Sequence, residues 1–431
     1  MRIYFFNMGC KVNFAEISVL KETFIELGHS VAETPEEADA AIINSCTVTS
    51  RADADCRKIV RRILRANPNA AIAVIGCQAQ TESDDILNIE GVDYILGNEE
   101  KFRISEIMTT PQKRTSTLVL INEIDNARFH SATSIDNEVH TRTAVKIQDG
   151  CNYFCTYCAV AYSRGRSRSI DFEDLRNEIL KLNSENAKEI VLSGINIGDY
   201  KSKDGKNFYD VVQMLDSLPV QLRYRISSIE PNLLTDEIIT SIAKPESLFC
   251  PHFHIPLQSG CNRILRRMNR RYTTEFYAER IAQIHSAIDL CCIGIDVICG
   301  FPGETDEDFD ATYRFLTELD FAYLHVFTYS DRPIAAASKY PDKVSPAVKK
   351  ERTNTLRELS EKKRRQFYSR FCGKQARIIP EIFNPETQET SAWTDNYVPV
   401  RFKTETKLPK EFRKVKILSL DESGFCTAEL L

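Results

Sequence analysis

Short apolar runs separated by helical stretches recur through most of this 431-residue chain, and that alternation restricts the fold more than any other feature. Residues 2–7, 40–44 and 71–76 read as strands. Helices are expected at 14–28, where Ile17, Leu20, Phe24 and Leu27 recur at three and four residues, and at 53–65. Asn13 is placed to cap the first of them. Such alternation buries best as a parallel sheet covered by helices, so residues 1–112 are expected to form a parallel α/β domain. From residue 144 the alternation resumes. Strands are expected at 144–148, 189–193, 223–227, 252–256, 293–299 and 324–328, with helices at 172–182, 235–241, 274–289 and 306–319. Repeated βα units of that length predict a full or partial (β/α) barrel with its site at the C-terminal ends of the strands.

The cysteines are placed against this frame. Cys10, Cys46 and Cys77 each fall just past one of the first three strands. Successive strand ends of an open parallel sheet lie along one edge, where ligands bind, so three thiolates can converge there. The competing reading is that they are buried small hydrophobes, a common fate of free cysteine. Cys151, Cys155 and Cys158 are spaced by four and then three residues, just past the first strand of the expected barrel. Close spacing of this kind suits an iron–sulfur cluster. A structural zinc site usually has four ligands, and here there is one Cys-x-x-Cys pair and no histidine nearby. Three ligands on a four-iron cluster leave one iron open to a substrate. Cys56, Cys250, Cys261, Cys291, Cys292 and Cys299 have no ligand spacing and read as packing residues. Fourteen unevenly spread cysteines do not make a disulfide framework, and with no export signal the expected location is the reducing cytoplasm. No apolar run approaches membrane-spanning length, and no membrane partner is expected.

Charge is local rather than global. The net charge is −5, yet residues 341–370 carry ten Lys and Arg against four Asp and Glu and read as a basic helix. Beyond it, residues 376–382, 397–402 and 415–420 read as short strands of a small β-barrel. Trp393 and Tyr397 are candidates either for stacking on bases or for its core. Acidic and basic residues balance from 372 onward, so phosphate contacts are expected from the preceding helix.

Several words carry a family resemblance. Cys151-Asn152-Tyr153-Phe154-Cys155-Thr156-Tyr157-Cys158 resembles the cluster loop of radical S-adenosylmethionine (SAM) enzymes. Lys146-Ile147-Gln148-Asp149-Gly150, Arg164-Gly165-Arg166-Ser167-Arg168-Ser169, 252–260 and 296–304 look like the methylthiotransferase branch. Gly9-Cys10-Lys11-Val12-Asn13, Asn44-Ser45-Cys46-Thr47-Val48-Thr49 and Gly76-Cys77-Gln78-Ala79-Gln80 resemble its three N-terminal cysteine motifs, and Trp393 to Val400 resembles the RNA-binding TRAM barrel. The resemblance implies four segments: 1–112 carrying an auxiliary cluster, a connector at 113–136, a radical-SAM core at 137–366 and a TRAM-like domain at 367–431. It implies two [4Fe-4S] clusters, on Cys10, Cys46 and Cys77 and on Cys151, Cys155 and Cys158, with SAM seated by Gly194, Ser228, Glu230, Gln258 and Asp296. The implied partners are the anticodon stem-loop of tRNA and an electron donor such as flavodoxin or ferredoxin. Gly-Cys-Lys-Val-Asn resembles the branch that inserts a methylthio group at C2 of N6-threonylcarbamoyladenosine at tRNA position 37. Isopentenyladenosine and a ribosomal-protein side chain are the alternative substrates. Outside the enzyme class, the alternative is a non-catalytic RNA-binding protein stapled by metals. Arg164, Arg166 and Arg168 stand equally for anion binding or for salt bridges around the cluster loop, and His252 and His254 read as structural histidines.

Overall fold

The computed structural model describes residues 1–47, 50–110, 112–125, 127–134 and 141–431, with the side chains of residues 50–53 left out. Val48 and Thr49 of the second cysteine word, and the boundary expected at 136/137, lie outside the described residues.

Six parallel strands form the N-terminal sheet: β1 (Arg2–Asn7), β2 (Ser30–Val31), β3 (Ala40–Ser45), β4 (Ala71–Gly76), β5 (Tyr94–Leu96) and β6 (Leu118–Leu120), in the order β2-β1-β3-β4-β5-β6. Every residue of β3 and β4 is buried, as a central strand covered on both faces requires. Ala41 and Ile43 face the helix Ser50–Ala66 through Ile59, Val60 and Ile63, while Ala40 and Ile42 face Leu20 and Phe24 of the helix Lys11–Glu26. Asn13 does not cap that helix. Its N-cap is Cys10, and Asn13 is a buried residue of its first turn. β6, within the segment expected to be a connector, is an edge strand of this sheet, and the connector's Thr133 bridges Val145.

The central region opens with β7 (Arg142–Lys146) and a two-stranded ribbon, β8 (Gln148–Asp149) with β9 (Arg168–Ser169). β10 (Glu189–Ser193), β11 (Arg223–Ile226), β12 (His252–His254), β13 (Cys292–Cys299) and β14 (Tyr323–Thr328) follow. Two parallel sheets, β11-β10-β7 and β12-β13-β14, are joined by bridges at Tyr224–Phe249 and Ser228–His254. The result is a six-stranded partial barrel, the open form of the expected architecture. Its outward residues, Ile190, Leu192, Tyr224, Phe253, Ile293 and Ile295 among them, pack against the covering helices. Because strand side chains alternate, the inward stripe is the other set, and it is polar: Lys146, Glu189, Arg223, Arg225, His252, His254, Asp296 and His325.

The helix Pro346–Ser369 starts at the Ser345 cap and packs along β14, where Ser360 Oγ donates to the Leu324 carbonyl and accepts from its amide. It leads into a closed five-stranded barrel of β15 (Gln375–Asn384), β16 (Glu389–Thr394), β17 (Pro399–Lys403), β18 (Arg413–Leu420) and β19 (Cys426–Leu430). Sequence pattern located three of the five. Among the described residues no helix is long and apolar enough to cross a membrane.

Candidate active site

Register decides where the first cysteine trio goes. Asn7 pairs with Asn44 and Ser45 with Gly76, so β1, β3 and β4 end side by side. Cys46 and Cys77 directly follow β3 and β4, and Cys10 follows β1 by three residues. Asn13 stitches this edge together. Its Nδ2 donates to Asn44 Oδ1 (3.3 Å) and the Ser45 carbonyl (3.1 Å), and Asn44 Nδ2 donates back to the Asn13 carbonyl (2.9 Å). The Cys10 thiol donates to Asn13 Oδ1 at 3.6 Å, and Asn98 Nδ2 donates to Cys77 Sγ at 3.6 Å. Gly76, at φ 93°, and Gly150, at φ 69°, hold left-handed backbone immediately before Cys77 and Cys151, a conformation that side chains resist.

The second trio lies at the C-terminal end of β7. Its loop is clamped by Cys151 N to the Gly165 carbonyl (3.0 Å), Thr156 N to the Met268 carbonyl (3.1 Å) and Ala337 N to the Thr156 carbonyl (2.8 Å). Phe154 within it holds φ 48°, the kind of backbone strain that collects at functional sites. Arg270 Nη1 donates to Cys155 Sγ at 3.2 Å, and its Nη2 pairs with Glu230 and with Tyr272 Oη (2.7 Å). Burial pushes the Cys151 thiol up to about 12 and Cys158 to about 11, so metal binding there must release protons.

Beside Cys158 a cavity of about 170 Å³ is lined by Gln258, Asp296, Ile298, Phe327 and Tyr329. Gln258 holds φ 71°, and its buried Oε1 has no hydrogen-bond partner among the described residues. The same is true of Asn196 Oδ1 and Nδ2 and of Ser227 Oγ, just beyond β10 and β11. Buried polar atoms left without a protein partner suit a site that takes a polar ligand. Of the five residues expected to seat SAM, Gln258 and Asp296 line the cavity. Ser228 lies on the bridge between the half-sheets, Gly194 packs on the Gln148 side chain, and Glu230 is held by Arg270. Asp296 Oδ1 accepts from His254 (2.8 Å) and His325 (3.2 Å), so His254 is a hydrogen-bonded histidine that holds a carboxylate lining the cavity. Despite burial, those imidazoles hold the Asp296 carboxyl far below the usual carboxylate range.

A buried ion cluster joins the two cysteine edges. Glu16 takes Lys101 Nζ at 2.6 Å, Lys146 Nζ at 3.0 Å and both terminal nitrogens of Arg164 at 3.0 Å. Arg164 also reaches Asp149 (2.9 Å) and Asn13 Oδ1 (2.7 Å), and Arg168 closes on Asp149 at 2.9 Å. Arg164 and Arg168 are therefore spent on the salt-bridge reading, while Arg166 lies over the Phe154 ring at 4.7 Å. Glu16, Lys101 and Arg270 had no signal in the sequence, because each is a single charged residue in a helix or loop. Gln148 and Asp149 belonged to a noted word but had no assigned role. Gln148 Oε1 accepts from Ile195 N (2.9 Å) and Asn196 N (2.8 Å), and its Nε2 donates to the Gly150 carbonyl (2.7 Å), tying the β10 loop to the cluster loop.

The opposite mouth of the partial barrel is filled by the β16–β17 turn. Tyr397 stacks on Trp393 (4.6 Å between centroids), lies 5.0 Å from His252, and has the Arg225 guanidinium 4.9 Å from its ring centroid. Arg223 pairs with Asp395 and with Glu189, which also takes Arg225 Nε at 2.8 Å. Trp393 and Tyr397 thus pack against the central region.

The sequence comparisons agree with this geometry. Residues 145–316 match the radical SAM superfamily, and residues 2–97 match the uncharacterized protein family UPF0004. The threonylcarbamoyladenosine tRNA methylthiotransferase MtaB of Bacillus subtilis (strain 168) is 37% identical over 96% of this chain and 93% of its own length. The protein of that name from Aquifex aeolicus (strain VF5) is 35% identical over 93% of this chain and 96% of its own length. The chain belongs to the radical SAM tRNA methylthiotransferase family. The tRNA-2-methylthio-N(6)-dimethylallyladenosine synthase of Dictyoglomus thermophilum (strain ATCC 35947 / DSM 3960 / H-6-12) is 32% identical over 96% of this chain and 96% of its own length. In fold, the chain is similar to the radical S-adenosylmethionine methyltransferase TsrM of Kitasatospora setae, with a TM-score of 0.57 at 13% identity over 78% of this chain and 75% of that one.

Membership of the radical SAM superfamily implies a [4Fe-4S] cluster and SAM, and the residues present fit both. Two thiolates on one tetrahedral ion sit about 3.8 Å apart. Among the described residues, the trio of possible ligand atoms that all approach within 4.8 Å is His254–Asp296–His325, and neither cysteine trio is that compact. Three cysteine thiolates at each edge are the donor type that such a cluster takes. The orphaned Gln258 Oε1 beside Cys158 suits a polar ligand next to it.

Proposed function

We propose that this enzyme inserts a methylthio group at C2 of N6-threonylcarbamoyladenosine at position 37 of tRNA. In this reading Cys151, Cys155 and Cys158 hold the radical-SAM cluster, and Cys10, Cys46 and Cys77 hold a second [4Fe-4S] cluster. When bound, the two clusters would supply the electron for reductive cleavage of SAM and the sulfur that is inserted. The C2–H bond is neither acidic nor hydridic, so the chain's own groups position rather than activate it. Gln258 and Asp296, which line the cavity beside Cys158, take the polar groups of SAM, and Ser228 and Gly194 complete the proposed seat from the ends of β11 and β10. Glu230 acts through Arg270, whose guanidinium neutralises charge at Cys155. The ion cluster around Glu16 and Arg164 holds the two cysteine edges in register.

The observation that carries this reading is that two separate cysteine trios, each at a strand-end edge, are joined through one buried network. The relatives named for threonylcarbamoyladenosine, at 37% and 35% identity against 32% for the dimethylallyladenosine synthase, favour that substrate over its dimethylallyl counterpart. The small barrel and the basic helix Pro346–Ser369 offer the surface for the anticodon stem-loop. The reductant is a low-potential carrier of the flavodoxin or ferredoxin class, and the site of action is the cytoplasm.

Nucleoside mass spectrometry of total tRNA, with and without the gene, tests this. Loss of 2-methylthio-N6-threonylcarbamoyladenosine alone is the expected result. Loss of the methylthio-dimethylallyl nucleoside would keep the chemistry and move the substrate. No change in either would overturn the reading.

A further inference from the structure

The chemistry above leaves unused a cavity of about 490 Å³ between the helix Lys11–Glu26, the start of β7 and the small barrel. Its walls include Ala144, Val191 and Arg225 from the inward stripe, Glu381 and Tyr397 from the small barrel, and Lys11, the residue after Cys10. Three cations and one carboxylate line it. Arg142 is paired with Glu381 at 3.0 Å, and Arg225 with Glu189 at 2.8 Å. Lys11 has no hydrogen-bond or ion-pair partner among the described residues and is exposed to the space the cavity encloses. The cavity therefore presents one ammonium with no direct partner among the described residues, next to the first cysteine edge and facing the barrel lumen.

From this placement we infer that Lys11 is a specificity-determining residue that pairs with the carboxylate of the N6-threonylcarbamoyl group. This rests on the substrate proposed above. The chemistry of that base explains the fit. C2 and N6 both flank N1 on one edge of adenine, so a base whose C2 faces the first cysteine trio carries its N6 substituent toward the adjoining space. A threonylcarbamoyl group ends in a carboxylate and a hydroxyl, which an ammonium can meet with a charge-assisted hydrogen bond. A dimethylallyl group has no charge and would leave Lys11 unpaired, so the same residue selects for one substrate and against the other. A backbone phosphate is the other oxyanion that tRNA could bring to this ammonium, and the test separates the two.

Binding of reconstituted enzyme, without SAM, to fluorescent anticodon stem-loops reads the contact without turnover. The loops carry N6-threonylcarbamoyladenosine, its methyl ester or plain adenosine at position 37. Wild-type enzyme is expected to bind the acid at least about tenfold more tightly than the ester or plain adenosine. Lys11→Met, compared at equal iron content, is expected to lose that preference while binding plain adenosine as wild type does, and Lys11→Arg to keep much of it. If Lys11→Met weakens all three loops equally, the contact is to phosphate and the inference fails. If wild-type enzyme does not distinguish acid from ester, it fails without any variant. Nucleoside analysis keeps the two levels apart. A wild-type product of methylthio-threonylcarbamoyladenosine with no acid preference overturns the Lys11 assignment alone, whereas a methylthio-dimethylallyl product overturns the substrate as well.

Discussion

Arg164→Met is the sharpest test of how the two cysteine edges are held together. The side chain is 1% exposed and makes four hydrogen bonds: to both Glu16 oxygens (3.0 Å each), to Asp149 Oδ1 (2.9 Å) and to Asn13 Oδ1 (2.7 Å). Removing one partner of a buried ion pair costs about 3–5 kcal/mol, because the remaining charge stays buried. Here Glu16 keeps Lys101 and Lys146, and Asp149 keeps Arg168, so the lower end applies, about 3 kcal/mol. Glu16 and Asn13 belong to the N-terminal sheet region and Asp149 to the central region, so the loss falls on the junction between them. At 1.36 kcal/mol per factor of ten, the junction opens roughly a hundredfold more often. Hydrogen exchange of the amides in Lys11–Glu26 and Val160–Arg164 reads that opening, with loss of protection expected there and little change in β3 and β4. The double variant Glu16→Gln with Arg164→Met should lose less than the sum of the singles, since each removes a charge the other leaves exposed to burial. Protection in Arg164→Met within about fivefold of wild type would refute the assignment of this cluster as the clamp, because that is under half the decades that about 3 kcal/mol demands.

The same cluster sets an acid limit. Burial pushes the Glu16 and Asp149 carboxyls up, but Arg164, Lys101, Lys146 and Arg168 together hold both below their ordinary values. A depressed carboxyl contributes stability that is complete above its unfolded value and is lost as pH falls toward the folded one, so junction protection should hold from pH 7 to about pH 4 and fall below it. Cys155→Ala should abolish 5′-deoxyadenosine production, whereas Cys46→Ala should keep it and stop sulfur insertion. Chromatography of 5′-deoxyadenosine beside nucleoside mass spectrometry checks both, and each variant should retain about half of the iron. Arg270→Met should weaken iron retention at the second trio by about 10–100-fold in a chelator competition, as loss of a partner to a ligating atom does elsewhere.

The match between pattern and fold was uneven, and each gap has a cause. β4 and β10 appear where the apolar runs placed them, because a fully buried strand needs an unbroken run, and β1 does so too although only Ile3 of it is buried. β2 and β5 went unseen, being two and three residues long. Asn13 looked like a cap because capping residues precede apolar periodicity, but its side chain ties Cys10 to the end of β3, and the helix starts at Lys11, three residues earlier than expected. Trp393 and Tyr397 were equally suited to bases or to packing. The choice was made by the Arg225 and His252 side chains, which come from strands more than a hundred residues away.

The sequence by itself determined the α/β class, the partial barrel, the two cysteine trios and their strand-end positions, and the chemistry those thiolates imply. These are local properties: hydrophobic period, short spacing and residue type. Tertiary structure alone decided which charges meet. Glu16 with Arg164, Arg270 with Cys155, Asp296 with two histidines, and Lys11 facing an otherwise paired cavity are contacts across 29 to 148 residues or between separate regions. A charged side chain looks the same in sequence whether water or a buried partner satisfies it. Only the register of parallel strands and the docking of one sheet against the next distinguish the two.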